Sequence, residues 1–213
     1  MNVFRAITVA ALVLLTACDK PAEIRPSKPS MDAAASIAML AYATDRLDFA
    51  TATRVINDAK SLEGIERKAF TDELLKLWAL PVPLATELEA TSIRLEIANY
   101  LLQQTKNRYV LGDTAPYLAY ARDMASNGAP PYLDKALMVL VIGGEARDLP
   151  TLREHVNDEN KWVADTAAFG LAQSCHLSES DAEKVRRSIL QPKQRAYFDD
   201  AWRNLATMRK HCP

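Results

Sequence analysis

Glycine is scarce in this 213-residue chain, six in all, and no stretch alternates polar and apolar residues long enough to form a strand with one buried face. The apolar spacing from Met31 onward is helical throughout, which argues against a β fold. Histidine is equally rare, at three (His155, His176 and His211). No His-Glu-x-x-His, Gly-x-Ser-x-Gly, Walker or Gly-x-Gly-x-x-Gly pattern occurs, so the common signatures of metallopeptidases, serine hydrolases and nucleotide binding are missing. An excess of charge of one sign is lacking too: 26 basic side chains face 27 acidic ones. That balance offers no electrostatic case for nucleic acid or for strong attraction to anionic lipid headgroups.

What is present begins at the N-terminus. Residues 1–17 read as a secretory signal, with Arg5 ahead of an apolar core from Ala6 to Leu15 and small residues at Thr16 and Ala17. That core is too short to cross a membrane, which takes about 18–20 apolar residues. The tetrad Leu15-Thr16-Ala17-Cys18 resembles the lipobox of bacterial lipoproteins. The resemblance implies a diacylglyceryl group on the Cys18 thiol, cleavage just before Cys18, and acylation of the new amine. Acyl chains would then hold the protein to the bilayer, each buried CH₂ contributing about 0.8 kcal/mol. Asp19 resembles the inner-membrane retention signal of enterobacterial lipoproteins, and Lys20 blurs it, so the inner membrane is favoured and the outer stays open. Residues 18–30 carry Pro21, Pro26 and Pro29 without apolar periodicity and are expected to form an extended tether.

Residues 31–213 are expected to form one all-α domain of about ten helices: 31–45, 48–61, 64–80, 84–105, 114–126, 131–142, 149–157, 160–174, 179–190 and 193–211. Prolines and glycines punctuate the gaps between them, Gly170 alone falling inside a helix. Asp113 and Asp148 are expected as helix caps ahead of Pro116 and Pro150, and Ser178 with Asp181 has capping-box spacing. Links of two to eight residues make successive helices antiparallel neighbours, so the chain reads as a run of stacked helical hairpins.

One hairpin carries a more specific signal. Leu149, Leu152 and Val156 form an apolar stripe, Asn157-Asp158 turns the chain, and Val163, Ala167, Ala168 and Leu171 form a second stripe. This resembles a HEAT repeat, although Ala164 stands where that family usually has Arg. Ile93-Arg94, Ile97-Ala98 and Leu101 echo the offsets, and Leu133, Leu137, Met138 and Val141 echo their hydrophobicity. Residues 31–62 look equally like a tetratricopeptide hairpin around Leu40, Tyr42, Asp48 and Ala52, and a plain helical bundle remains the alternative. The resemblance implies a HEAT-like α-solenoid whose hairpins bury a core only by stacking and leave a concave face for a partner.

Three cysteines occur. With Cys18 assigned to lipid, Cys175 and Cys212 form an even pair in an oxidising compartment, which favours a disulfide. The rival arrangement has Cys175, His176, His211 and Cys212 as a zinc set; no resident metal or cofactor is the expectation.

Five of seven tyrosines fall between Tyr100 and Tyr132, interleaved with arginines, and these residue types anchor protein interfaces. Tyr100, Arg108, Tyr109, Tyr117, Tyr120, Arg122 and the turn-proximal Trp162 are therefore the candidate protein-binding residues, while Trp78 and Trp202 read as core. Packing between helices is the competing role for Tyr117 and Tyr120. Carboxylate pairs that a glycan-cleaving enzyme would need exist by composition at Glu87/Glu89 and Glu145/Asp148, where a solvated face or a cap is the simpler reading. His155 reads as a helix-end histidine near Asp158. The expectation is a membrane-anchored lipoprotein facing the periplasm that binds a protein or peptide as adaptor or scaffold, an immunity lipoprotein being one specific form. An envelope assembly factor is the alternative, and a cell-wall enzyme a weaker one.

Overall fold

The computed structural model describes residues 32–46, 48–80, 87–107, 109, 112–127 and 130–210. The signal and tether of residues 1–30, along with Arg108, His211 and Cys212, lie outside the described residues.

Every regular element among the described residues is helical. The α-helices are α1 (Ala33–Asp45), α2 (Phe49–Ala59), α3 (Gly64–Ala79), α4 (Glu87–Lys106), α5 (Ala115–Ser126), α6 (Leu133–Gly143), α7 (Leu149–His155), α8 (Lys161–Gln173), α9 (Glu179–Ser188), α10 (Pro192–Asn204) and α11 (Ala206–Lys210). Short 3-10 turns at Pro130–Tyr132 and Ala146–Asp148 lead into α6 and α7.

Local chemistry sets the boundaries. Asp48 accepts from Thr51 N at 3.1 Å to cap α2, and Asn160 accepts from Trp162 N at 3.0 Å to cap α8. At α9 Ser178 accepts from Asp181 N at 3.1 Å, the N-cap its spacing suggested, while the second contact comes from its hydroxyl, which donates to Asp181 Oδ2 at 2.7 Å, rather than from its backbone N–H as in a capping box. Gly144 ends α6 in the left-handed region at φ +68°, where a side chain is strained. Asp148 precedes α7 but makes no capping bond, because its carboxylate is engaged elsewhere.

One expected helix is two. The segment 193–211 breaks at Leu205, whose N–H bonds back to Ala201 and Arg203 carbonyls. Beyond the break Arg209 stacks its guanidinium 3.5 Å from the Trp202 ring centroid and donates to the Ala172 carbonyl at 2.6 Å. An unbroken helix would carry position 209 onward along the α10 axis, so the break is what lets Arg209 serve the C-terminal end of α8.

The helices pack in a definite order. The even-numbered ones form a continuous row in which α2 packs on α4, α4 on α6, α6 on α8 and α8 on α10. The odd-numbered ones attach to this row: α1 to α2, α3 to α4, α5 to α4 and α6, and α7 to α8. α4 lies between both sets, which explains why Leu95, Ile97, Ala98, Tyr100, Leu101 and Leu102 are all buried despite pointing around the whole helix. A single core cluster runs from Leu40 to Phe198. The stripes Leu149/Leu152/Val156 and Val163/Ala167/Ala168/Leu171 are buried in it, as are Ile93, Ile97, Ala98 and Leu101. No helix among the described residues is long and apolar enough to cross a membrane.

Candidate functional site

Four places concentrate polar or aromatic side chains, and their geometry ranks them. The first is the tyrosine-rich region singled out by composition, and most of it faces inward. Tyr100 has no exposed surface and meets Phe70 edge to face with ring centroids 5.4 Å apart. Burial pushes its phenol up, and neighbouring Thr71 and Arg67 pull the other way. Its hydroxyl makes no formed hydrogen bond. Tyr117 is buried, and with Tyr120 it packs edge to face on Trp78 at 5.0 and 5.7 Å. The Arg94 guanidinium lies 4.2 Å from the Trp78 centroid and 5.3 Å from that of Tyr120, filling the aromatic box from within the chain. Desolvation raises both the Tyr117 and Tyr120 phenols. Tyr100 and Tyr117 are thus core residues, a correction to their place among the binding candidates: a ring packed this far inside offers a partner almost no surface unless the helices separate. Tyr109 is exposed, with one face covered by Arg67 at 3.9 Å.

The second place is an ionic staple. Arg122 on α5 donates Nε to Asp148 Oδ1 at 2.6 Å and Nη2 to Asp148 Oδ2 at 2.9 Å and Glu145 Oε2 at 2.7 Å. Asp148 is buried, so the bidentate pair ties α5 to the start of α7 where water competes little. Arg147 at 2.5 Å and then Arg122 hold the Glu145 carboxyl below its ordinary range. A general acid needs the opposite displacement, so Glu145 is set for holding rather than proton donation. Arg122, expected as an interface anchor, is committed inside the protein, and His155 meets Asp158 at 3.3 Å as its position suggested.

The third place is a cavity of about 600 Å³ beside the last turns of α4, α6 and α8, walled by Leu140, Leu149 and Leu152. Two of its polar side chains are occupied with the carbonyls ending α6. Lys106 donates to Ile142 O at 2.6 Å and Gly143 O at 3.2 Å, and Gln173 donates to Val141 O at 3.0 Å. Cys175 lines its rim and is disulfide-bonded; the expected pairing with Cys212 involves a residue outside the described set. No group of three or more metal-binding side chains occurs among the described residues.

The fourth place differs in kind. A groove of about 350 Å³ crosses α2, α4, α6 and α8, every wall belonging to the even-helix row. Asn57 comes from α2, Glu96, Asn99 and Gln103 from α4, Lys135 and Met138 from α6, and Trp162 and Thr166 from α8. Glu96 pairs with Lys135 across the α4–α6 contact. Trp162 is 72% exposed, and the Lys161 ammonium lies 5.6 Å from its ring centroid. Tyr197 on α10, next along the row, is also exposed and feels the Lys161 and Asp165 charges of α8. Trp162 is the one sequence candidate placed here. Asn99, Gln103, Glu96 and Lys135 were missed, because polar residues spaced along separate helices give no local pattern; only the register between helices gathers them.

The fold and groove define a class: an all-α protein of successively packed helices with a polar face spanning several of them. Comparison with protein-family models, with curated proteins and with solved structures finds no match to this chain.

Proposed function

We propose that this chain is a lipid-anchored adaptor of the bacterial cell envelope, tethered through acylated Cys18 and facing the periplasm, with its helical domain binding a protein or peptide. The inner membrane is the favoured address, on Asp19. The successive helical pairs are read as HEAT-like repeats, an assignment supported by the buried stripes around Asn157-Asp158 and by the unbroken even-helix row.

The observation that carries the binding role is the groove across four helices with its solvated indole. Function lives in sites rather than in folds, so the groove and not the helical architecture is the warrant.

Two measurements test the proposal. Globomycin should make the precursor accumulate, and Cys18→Ser should release the protein from the membrane fraction; a membrane-bound Cys18→Ser protein rejects the anchor. A photo-crosslinking amino acid at position 162 should trap a discrete protein partner in living cells, whereas one at exposed Ile65 on α3 should not. Equal patterns from both positions reject the groove as the binding face.

A further inference from the structure

The outer face of α1 is apolar and uncovered. The helix holds no charged residue from Ala33 to Thr44. Its inner side, Ala33, Ser36, Leu40 and Ala43, is buried where α1 packs on α2 and α3. Its outer side turns Ala34, Ala35, Ala38, Met39, Ala41 and Tyr42 to the surface, with Tyr42 55% exposed. A solvated helix face ordinarily carries charge, as α9 does with Lys184, Arg186 and Arg187. A helix that is apolar on both sides is ordinarily covered on both. Asp45 and Arg46 close the outer face at its C-terminal end, where the Arg46 guanidinium lies 4.9 Å from the Tyr42 ring centroid. No carboxylate among the described residues pairs with Arg46.

The place of α1 in the chain decides what covers it. Asp32, which caps α1, follows Cys18 by 14 positions. A chain of that length reaches at most about 50 Å, so an acyl group on Cys18 keeps α1 beside the bilayer. Confinement of this kind turns a weak contact into an intramolecular one, at an effective concentration of about a millimolar. Four alanines, a methionine and a tyrosine are too little to bring a soluble protein to a membrane, and enough once an anchor has done so. The side chains are also graded in the right sense. Small apolar groups suit the acyl boundary, a tyrosine ring suits the headgroup level, and an unpaired guanidinium suits lipid phosphate. A second copy of this chain is the competing cover. A helix of 13 residues is about 20 Å long and 10 Å wide. That strip of about 200 Å² falls well short of the roughly 800 Å² per partner in a stable complex.

We infer that the outer face of α1 rests on the bilayer, seated at the boundary of headgroups and acyl chains with Arg46 at the phosphates. This rests on the acyl anchor of the proposed function and adds to it. Anchor and helix together hold the domain at two points, which fixes how it is turned relative to the membrane, whereas a tether alone leaves it free to pivot. Asp45 and Arg46 cancel in charge, so the contact needs no anionic lipid.

The test uses the full lipidated protein in phosphatidylcholine vesicles. A thiol is introduced by Met39→Cys and, in a separate protein, by Leu190→Cys, at an exposed position between α9 and α10, and each is labelled with the fluorophore NBD. Phosphatidylcholine carrying a nitroxide near the headgroup end of its acyl chain should quench the label at 39 about threefold more than the label at 190. Ala38→Glu added to the Met39→Cys protein should bring the two to the same level with circular dichroism unchanged, and Ala35→Glu serves as the second variant. Equal quenching at 39 and 190 in protein that floats with the vesicles overturns the α1 contact and leaves the anchor. So does quenching at 39 that both glutamate variants leave in place. A label at 39 shielded from water yet unquenched by the lipid nitroxide, with copies crosslinking through position 39, gives the face to a second copy and overturns the contact too. Protein that fails to float with the vesicles overturns anchor and contact together.

Discussion

Gly170 on α8 faces Val141 on α6 so closely that a Cβ at position 170 would lie 2.3 Å from Val141 Cγ2 and 3.0 Å from Leu152 Cδ1. The sequence placed a glycine oddly inside a helix; the packing explains it. Without a side chain there, α8 settles against α6 and α7 together.

In an exposed helix interior, replacing Gly by Ala raises stability by about 0.5–1 kcal/mol. Here the methyl group meets a β-branched side chain held by its own helix, and overpacking of that kind costs about 1–3 kcal/mol. Gly170→Ala should therefore lower stability by about 1–2 kcal/mol in urea melts, and Val141→Ala in the same chain should recover part of the loss. A stabilised Gly170→Ala protein would show that α6 and α8 are not in this contact.

Removing Arg122 leaves the buried Asp148 carboxylate without its counterion. Arg122→Ala should cost about 3 kcal/mol, the low end for a broken buried pair because the guanidinium is partly solvated. A loss below about 0.5 kcal/mol, the size of an ordinary surface change, would mean the staple is not formed.

Glu145 gives the staple a pH signature. Its carboxyl is held below the ordinary value of 4.5, first by Arg147 and then by Arg122, so the folded state binds its proton less readily than the unfolded one. The stabilisation is fully present above that ordinary value and is lost as pH falls through the lower folded value. Denaturant midpoints taken from pH 7 to pH 3 should fall more steeply in the parent than in Glu145→Gln. Parallel curves would contradict the assignment.

Tyr100 and Trp162 should behave as opposites. Tyr100→Phe removes an enclosed hydroxyl that forms no hydrogen bond, so stability should hold or rise by up to about 1 kcal/mol. Partner crosslinking at the groove should not change. Trp162→Ala should shift stability by less than about 0.5 kcal/mol, as for an exposed residue, and should abolish partner binding.

Arg209 reaches the Ala172 carbonyl three residues before Cys175, and Cys212 follows Arg209 by three. Peptide mapping without reductant should therefore recover Cys175 linked to Cys212. Reduction should lower stability by up to about 4 kcal/mol for a loop of this length on the chain-entropy model. Recovery of Cys212 as a free thiol would refute the pairing.

The composition and spacing of this chain sufficed for the all-α class, for helix limits within a few residues, and for the buried stripes of α4 and α8. Those properties arise from contacts between residues three or four apart, and a linear string displays such contacts directly. The break at Leu205 escaped it, since the reason lies across space at the Ala172 carbonyl. So did the fate of the tyrosines: composition shows amphipathic rings, but only the placement of α3, α4 and α5 decides that Tyr100 and Tyr117 are enclosed while Tyr109 meets water. Asn99, Gln103, Glu96 and Lys135 became neighbours of Trp162 only when α4, α6 and α8 aligned. Helical periodicity is a local property, whereas a groove belongs to the register between helices, and that register is decided by how side chains such as Val141 fit against a bare Gly170.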